Sequence, residues 1–279
     1  MCFSEFVPTH NPSRRRFLKS AAVVGTALAA APLLLSATPA DAGGLFNFTP
    51  SVDDQKKVGE QAAQQVLKQY KPINDSRTRQ FVSMGHNLVG ALTPEEQRTW
   101  DYKFHMLDSK EINAFALPGG NIFMFTGLYD ELDSEDSLAA VTGHEMTHVR
   151  KQHWAQAYAK QQQRGLILGL GLSFFHAGQA AQTIAGMVDS AIGLGFSRNE
   201  EDQADAGGLD DMVHAGYNPQ GMVNLFGTLQ KVAGNGGGLG GAFMSNHPLT
   251  SDRIKHTEQR IAAIQAQYRF NPLRPLSRG

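Results

Sequence analysis

His144-Glu145-Met146-Thr147-His148 constrains this chain more than any other five residues. Histidines four apart project from the same face of a helix, since four residues make little more than one turn. Both imidazoles can then reach one ion, at about 2.0–2.1 Å if that ion is zinc. Glu145 stands at the edge of the same face, placed to take a proton from water at the metal rather than to bind the metal itself. The flanking sequence predicts a helix from Ser134 to about Gln161, with Asp133 or Ser134 as cap and Glu135 and Asp136 at its positive end. The fold must bury this helix and bring it at least one more ligand from elsewhere in the chain.

A catalytic zinc site takes three protein ligands and leaves one position open. A third histidine in the metzincin pattern is absent: Lys151 stands where that pattern needs glycine and Trp154 where it needs histidine, and His153 reads as structural. The alternative is a carboxylate from a later helix. Glu201-Asp202-Gln203-Ala204-Asp205 offers one, with Glu201 and Asp205 on one face. One of the pair can bind metal while the other accepts a hydrogen bond from a ligand histidine and fixes its tautomer. Glu200 is a rival ligand, but Glu201 alone has a partner at helical spacing.

The remaining pattern is mostly helical, with two clear strands. Helices are predicted over Ser51 to Tyr70, Ser76 to Leu92, Asn199 to Ala215, Gln220 to Val232 and Thr250 to Tyr268. Tyr102 to Leu107 alternates as a strand does, and Asn121 to Thr126 follows the turn Pro118-Gly119-Gly120. Thr93-Pro94 and Gly216-Tyr217-Asn218-Pro219 read as helix stops. The apolar stretch 165–196 is interrupted by Gln179, Gln182 and glycines, and its strongest run, Leu166 to Phe175, is too short to span a bilayer. Buried or surface-docking helices are expected there, including peripheral membrane contact. Gly234 to Gly241 reads as a mobile segment and the tail 271–279 as loose. A formal net charge of −1 over 279 residues argues against nucleic-acid binding, which needs clustered cations against phosphates.

The first residues look like an export signal. Ser13-Arg14-Arg15-Arg16-Phe17-Leu18-Lys19 is basic, the stretch from Ala21 to Leu35 is modestly apolar, and Ala40-Asp41-Ala42 fits a cleavage site. Paired arginines before Phe-Leu-Lys resemble a twin-arginine signal. The expected organisation is a cleaved signal over 1–42, a linker over 43–50, a single domain over 51–270 and the tail. The only cysteine, Cys2, would be lost with the signal, so no disulfide is expected in the mature chain.

Several motifs in order resemble one family. His144 to His148, Ser197-Arg198-x-x-Glu201-x-x-Ala204-Asp205 and Ala215-Gly216-Tyr217-Asn218-Pro219 are similar to the gluzincins of the HtpX, BepA and LoiP type, relatives of the CAAX prenyl proteases. Asn113-Ala114-Phe115-Ala116-Leu117-Pro118-Gly119-Gly120 and Ser245-Asn246-His247-Pro248 with Arg253 match the same pattern. The resemblance implies an α+β, mostly helical zincin-like domain with a small β-sheet whose edge strand faces the active-site cleft. It implies one zinc ion bound by His144, His148 and Glu201, with Glu145 as base and Asp205 behind a ligand histidine. Asn113, Ala114 and Phe115 would lie on the strand that pairs with an extended substrate. For His247 it implies either capping the zinc at rest or polarising the substrate carbonyl; for Arg253, stabilising the oxyanion or positioning that loop. The glycine segment before His247 would serve as a lid hinge. The implied function is zinc endopeptidase action on unfolded or misassembled envelope proteins in the periplasm. The competing reading is a chaperone or assembly factor with proteolysis secondary or silenced by His247.

Overall fold

The computed structural model describes residues 49–167, 195–234 and 241–278. The expected signal, nearly all of the expected linker, most of the apolar stretch and most of the glycine segment fall outside the described residues.

Helix α1 (Val52–Gln69) starts where Ser51 accepts a hydrogen bond from the Asp54 amide, with Asp53 and Asp54 in its first turn. Its buried face, Ala62, Ala63 and Val66, packs on Leu107, Phe115, Leu117, Phe123 and Phe125. Helix α2 (Ser76–Ala91) opens with a capping box between Asp75 and Thr78 and gives Phe81, Met84 and Leu88 to the main core. The stop at Thr93-Pro94 is also a start. Thr93 and Glu96 form a second capping box around Pro94, and a short α3 (Pro94–Thr99) follows.

Strands β1 (Lys103–Leu107), β2 (Ala114–Ala116) and β3 (Asn121–Phe125) form one sheet in the order β1-β3-β2. β3 runs parallel to β1, with Lys103 opposite Asn121, and antiparallel to β2, with Phe115 opposite Phe123. All five residues of this central strand are buried. The Leu117 amide donates to Asn121 O and the Phe125 amide to Asn113 O. Hydrogen-bonded pairs recur every second residue in an antiparallel ladder, so Phe115 directs its backbone groups to β3. Ala114 and Ala116 therefore turn theirs to the outer edge of the sheet.

After the short α4 (Thr126–Glu131) comes α5 (Glu135–Arg150), which carries the histidine pair. Ser134 caps it, and every residue from Asp136 to Val149 is buried. β2, α7 (Arg198–His214) and α8 (Gln220–Gly234) all pack on it. The single helix expected through Gln161 is broken. The Gln152 amide bonds back to Val149 O, Gln152 itself adopts φ 55°, and α6 (His153–Ile167) begins. Such a left-handed conformation is costly for glutamine; here its side-chain oxygen accepts from Gln55 Nε2 at 2.8 Å.

Helices α5 and α7 touch backbone to backbone. A Cβ on Gly208 would lie 2.8 Å from His144 N, and one on Gly143 would lie 3.1 Å from Gly208 Cα. Glycine at both positions permits this approach, which is what brings the acidic face of α7 to the histidines. The short α9 (Gly241–Asn246) and α10 (Ser251–Gln265) complete the described helices. Among the described residues no helix is long and apolar enough to cross a membrane.

The segment expected to be a loose tail is docked instead. The Arg274 amide donates to Asp136 Oδ2 at 2.6 Å, and the Glu135 amide donates to Arg274 O at 2.9 Å. Pro275 bridges to Ser134, Arg274 lies over the Tyr217 ring, and Leu276 is buried. The tail thereby supplies bonds to the first turn of α5, a contribution with no periodic signature in the sequence.

Candidate metal centre

Four buried side chains from three separate parts of the chain converge: His144 and His148 on α5, Glu201 on α7, and His247 just after α9. His144 Nε2 is 3.0 Å from His148 Nε2 and 3.2 Å from His247 Nδ1. Glu201 Oε1 is 2.9 Å from His247 Nδ1 and 3.6 Å from His148 Nε2, while its Oε2 is 3.6 Å from His144 Nε2. Tetrahedral donors at zinc bond lengths stand about 3.3 Å apart. The donor spacing and the N₃O donor chemistry therefore fit a zinc ion. Burial foremost, helped by His144 and His247, depresses the His148 pKa well below the ordinary range and favours the neutral imidazole a metal requires.

Glu200, the rival carboxylate, is used elsewhere. It completes the capping box with Ser197 at the start of α7, and Lys160 donates to its Oε1 at 3.0 Å. One helical position further on, Glu201 points into the cluster. Burial opposes its ionisation, but His247, His144 and Arg253 outweigh that and hold its carboxyl below the usual range.

Asp205, one turn beyond Glu201, lies 2.9 Å from His144 Nδ1. Arg253 fixes the carboxylate from the other side, Nε to Oδ2 at 2.7 Å and Nη2 to Oδ1 at 2.8 Å. Burial works against this charge, yet Arg253 and His144 bring the Asp205 pKa down to about 2. Arg253 also reaches Glu201 Oε2 at 2.6 Å and donates to Pro248 O at 3.1 Å. Its guanidinium is thus spread over two carboxylates and the loop after His247. This is the geometry of a positioning group, and it ties the His247 loop to α7.

Glu145 is buried beside the cluster, with Oε1 3.4 Å from His247 Nε2. The outward-facing Ala116 amide of the edge strand donates to its carboxylate. Burial pushes its pKa up despite His247 and His144, the direction that makes a carboxylate a better base. His247 responds in the complementary way: burial resists its protonation, but Glu145 and Glu201 prevail and raise its pKa.

Of the edge-strand residues, Ala114 directs backbone groups outward, whereas Phe115 pairs with β3 and stacks on Phe123 at 5.0 Å. Asn113 is fully buried, and neither polar atom of its side chain has a hydrogen-bond partner among the described residues. An orphaned buried amide is costly and marks a place where a ligand can complete the bonding. Two contacts were not legible beforehand. Phe196 stacks on His148 at 4.0 Å, and its amide bonds to Asn246 O. His153, expected to be structural, places Nδ1 2.9 Å from His148 Nδ1. No spacing rule points to either, since one lies far along the chain and the other beyond the break at Gln152.

The model of Peptidase family M48 matches residues 75–261. The beta-barrel assembly-enhancing protease of Yersinia pestis is 28% identical over 233 residues, covering 79% of this chain and 46% of the relative. The protein of the same description from Escherichia coli K12 is 28% identical over 247 residues, 85% of this chain and 48% of its own. The mitochondrial metalloendopeptidase OMA1 of Schizosaccharomyces pombe is 28% identical over 221 residues, with 78% and 64% covered. The chain spans about half the length of the two bacterial relatives.

Proposed function

Because this chain belongs to peptidase family M48, we propose that it is a zinc-dependent endopeptidase that hydrolyses unfolded or misassembled envelope proteins. The observation that carries the proposal is the buried donor set His144, His148, Glu201 and His247 with Glu145 beside it.

His144, His148 and Glu201 would hold a zinc ion, which would supply Lewis acidity for a carbonyl oxygen and for a water beside Glu145. Glu145, raised in pKa by burial, takes the proton of the attacking water and passes it to the leaving amine nitrogen. The outward backbone groups of Ala114 and the outward Ala116 carbonyl hydrogen-bond an extended segment, and Asn113, just before that strand, completes its bonding there. Backbone pairing of this kind tolerates many sequences, which suits unfolded chains as substrates. The same description in two bacterial relatives, beta-barrel assembly-enhancing protease, supports envelope proteins as the substrate class.

His247 stands where a fourth donor would, which supports a resting state in which it caps the metal and must withdraw before substrate enters. The N-terminal sequence supports export, with Arg14 and Arg15 directing the twin-arginine route and action in the periplasm. Arg14→Lys with Arg15→Lys is expected to retain the protein inside the cell.

The test is Glu145→Gln. Purified variant is expected to bind one zinc per chain yet lose most cleavage of unfolded casein, a loss of about 10²–10⁴-fold for a missing general base. Cleavage by the variant at the wild-type rate, or wild-type cleavage insensitive to chelator, would refute the assignment.

A further inference from the structure

We propose that His153 is a positioning residue for His148: as a neutral imidazole it accepts the His148 Nδ1 proton and so fixes the tautomer that leaves His148 Nε2 free for metal. This rests on the metal reading above.

The argument starts from which nitrogen faces the cluster. His148 Nε2 is the atom 3.0 Å from His144 Nε2 and 3.6 Å from Glu201 Oε1. A nitrogen that gives its lone pair to a metal carries no proton, so neutral His148 must be protonated on Nδ1. That N–H is buried and needs an acceptor. His153 Nδ1 stands 2.9 Å away, and His153 is itself fully buried. For His153 to accept there, its own proton must sit on Nε2, which is directed toward Gln203 Oε1 at 3.5 Å. Asp205, the nearby carboxylate on the same face of α7, is committed to His144 and Arg253. The two ligand histidines therefore have different supports, an ionised carboxylate for His144 and a neutral ring for His148.

The backbone is shaped to make this contact. On an unbroken helix the fifth residue after His148 would point about 140° away from it around the axis. The left-handed Gln152 ends α5 and restarts the chain so that the His153 ring meets His148 edge-on, with centroids 4.9 Å apart. Phe196 covers His148 with a stacked ring at 4.0 Å. Backbone strain at a site of this kind persists where surrounding structure holds it and where it orients a functional group.

The test compares zinc affinity, by competition with a chromophoric chelator, for wild type, His153→Leu and His153→Asn. Losing a group that orients a metal ligand costs about 10–100-fold in affinity. His153→Leu should show that loss. His153→Asn keeps an acceptor oxygen near the Nδ1 position and should recover most of it, while the metal-free melting temperatures of the two variants stay alike. Equal zinc affinity in both variants, whether intact or lost, overturns the proposal. Should His153→Leu fail to fold, nitrogen-15 histidine spectra of zinc-loaded wild type decide the matter. His153 protonated on Nε2 and His148 on Nδ1 is the expected pair, and His153 protonated on Nδ1 overturns it. Zinc uptake with unaffected variants removes only the role of His153. A wild-type chain that takes up no zinc removes the metal reading and this proposal together.

Discussion

Gly208→Ala tests whether helix approach builds the metal centre. The added Cβ would lie 2.8 Å from His144 N, 3.0 Å from Gly143 C and 3.3 Å from His144 Cα. All three atoms are backbone of α5, so no rotamer change relieves them. Restoring ordinary contact, which begins at about 3.5 Å, requires α5 and α7 to part by roughly 0.7 Å. Overpacking of this size costs about 1–3 kcal/mol, against a gain of about 0.5–1 kcal/mol for replacing glycine by alanine within a helix. At the middle of these ranges the net loss of about 1 kcal/mol should lower the melting temperature of the metal-free protein by roughly 2–4 °C. Zinc affinity should fall as well, because Glu201 rides on α7 while His144 and His148 ride on α5. Gly90→Ala and Gly227→Ala are the controls, since a Cβ at either meets nothing within 4 Å. Both should raise the melting temperature and leave zinc binding alone. The reasoning fails if Gly208→Ala behaves like these controls in both measurements.

Asp205 has a folded pKa of about 2 against an ordinary 3.8, so its stabilisation is full above the ordinary value and is lost as pH falls through about 2. Asp205→Asn should cost metal-free protein roughly 2 kcal/mol near pH 6 and flatten the acid limb between about pH 4 and pH 2, measured by urea unfolding across pH. His247→Ala should weaken zinc binding yet raise casein cleavage at saturating zinc by about tenfold if the resting cap is worth about 1.4 kcal/mol; unchanged or lower cleavage counts against the cap. Deleting residues 271–279 removes buried Leu276 and one amide held by buried Asp136, a loss of about 2–5 kcal/mol. It should lower the melting temperature without changing zinc affinity per folded chain, and an unaltered melt would show that the docked tail contributes little.

Local sequence determined much of what surrounds the site. Ser51, Asp75, Ser134, Ser197 and Thr250 cap the helices they precede, because a cap needs only a side chain and amides two or three residues on. His144 with His148, and Glu201 with Asp205, were legible for the same reason: a helix puts residues four apart on one face whatever it packs against. Spacing favoured Glu201 over Glu200, and in the structure Glu200 closes the cap at the start of α7 while Glu201 lies in the histidine cluster. Tertiary structure alone decided the rest. The α5–α7 glycine contact brings the carboxylate to the histidines, and the break at Gln152 turns His153 toward His148. Arg253 is shared between Asp205, Glu201 and the His247 loop, and the tail closes on Asp136. These contacts join residues far apart in the chain or cross an irregular turn, so no periodicity encodes them. They are fixed only when whole elements pack and buried polar groups must find partners. The five residues from His144 to His148 put two imidazoles on one helix face; packing brought Glu201 and His247 to them, with the hydrogen bonds that hold the cluster together.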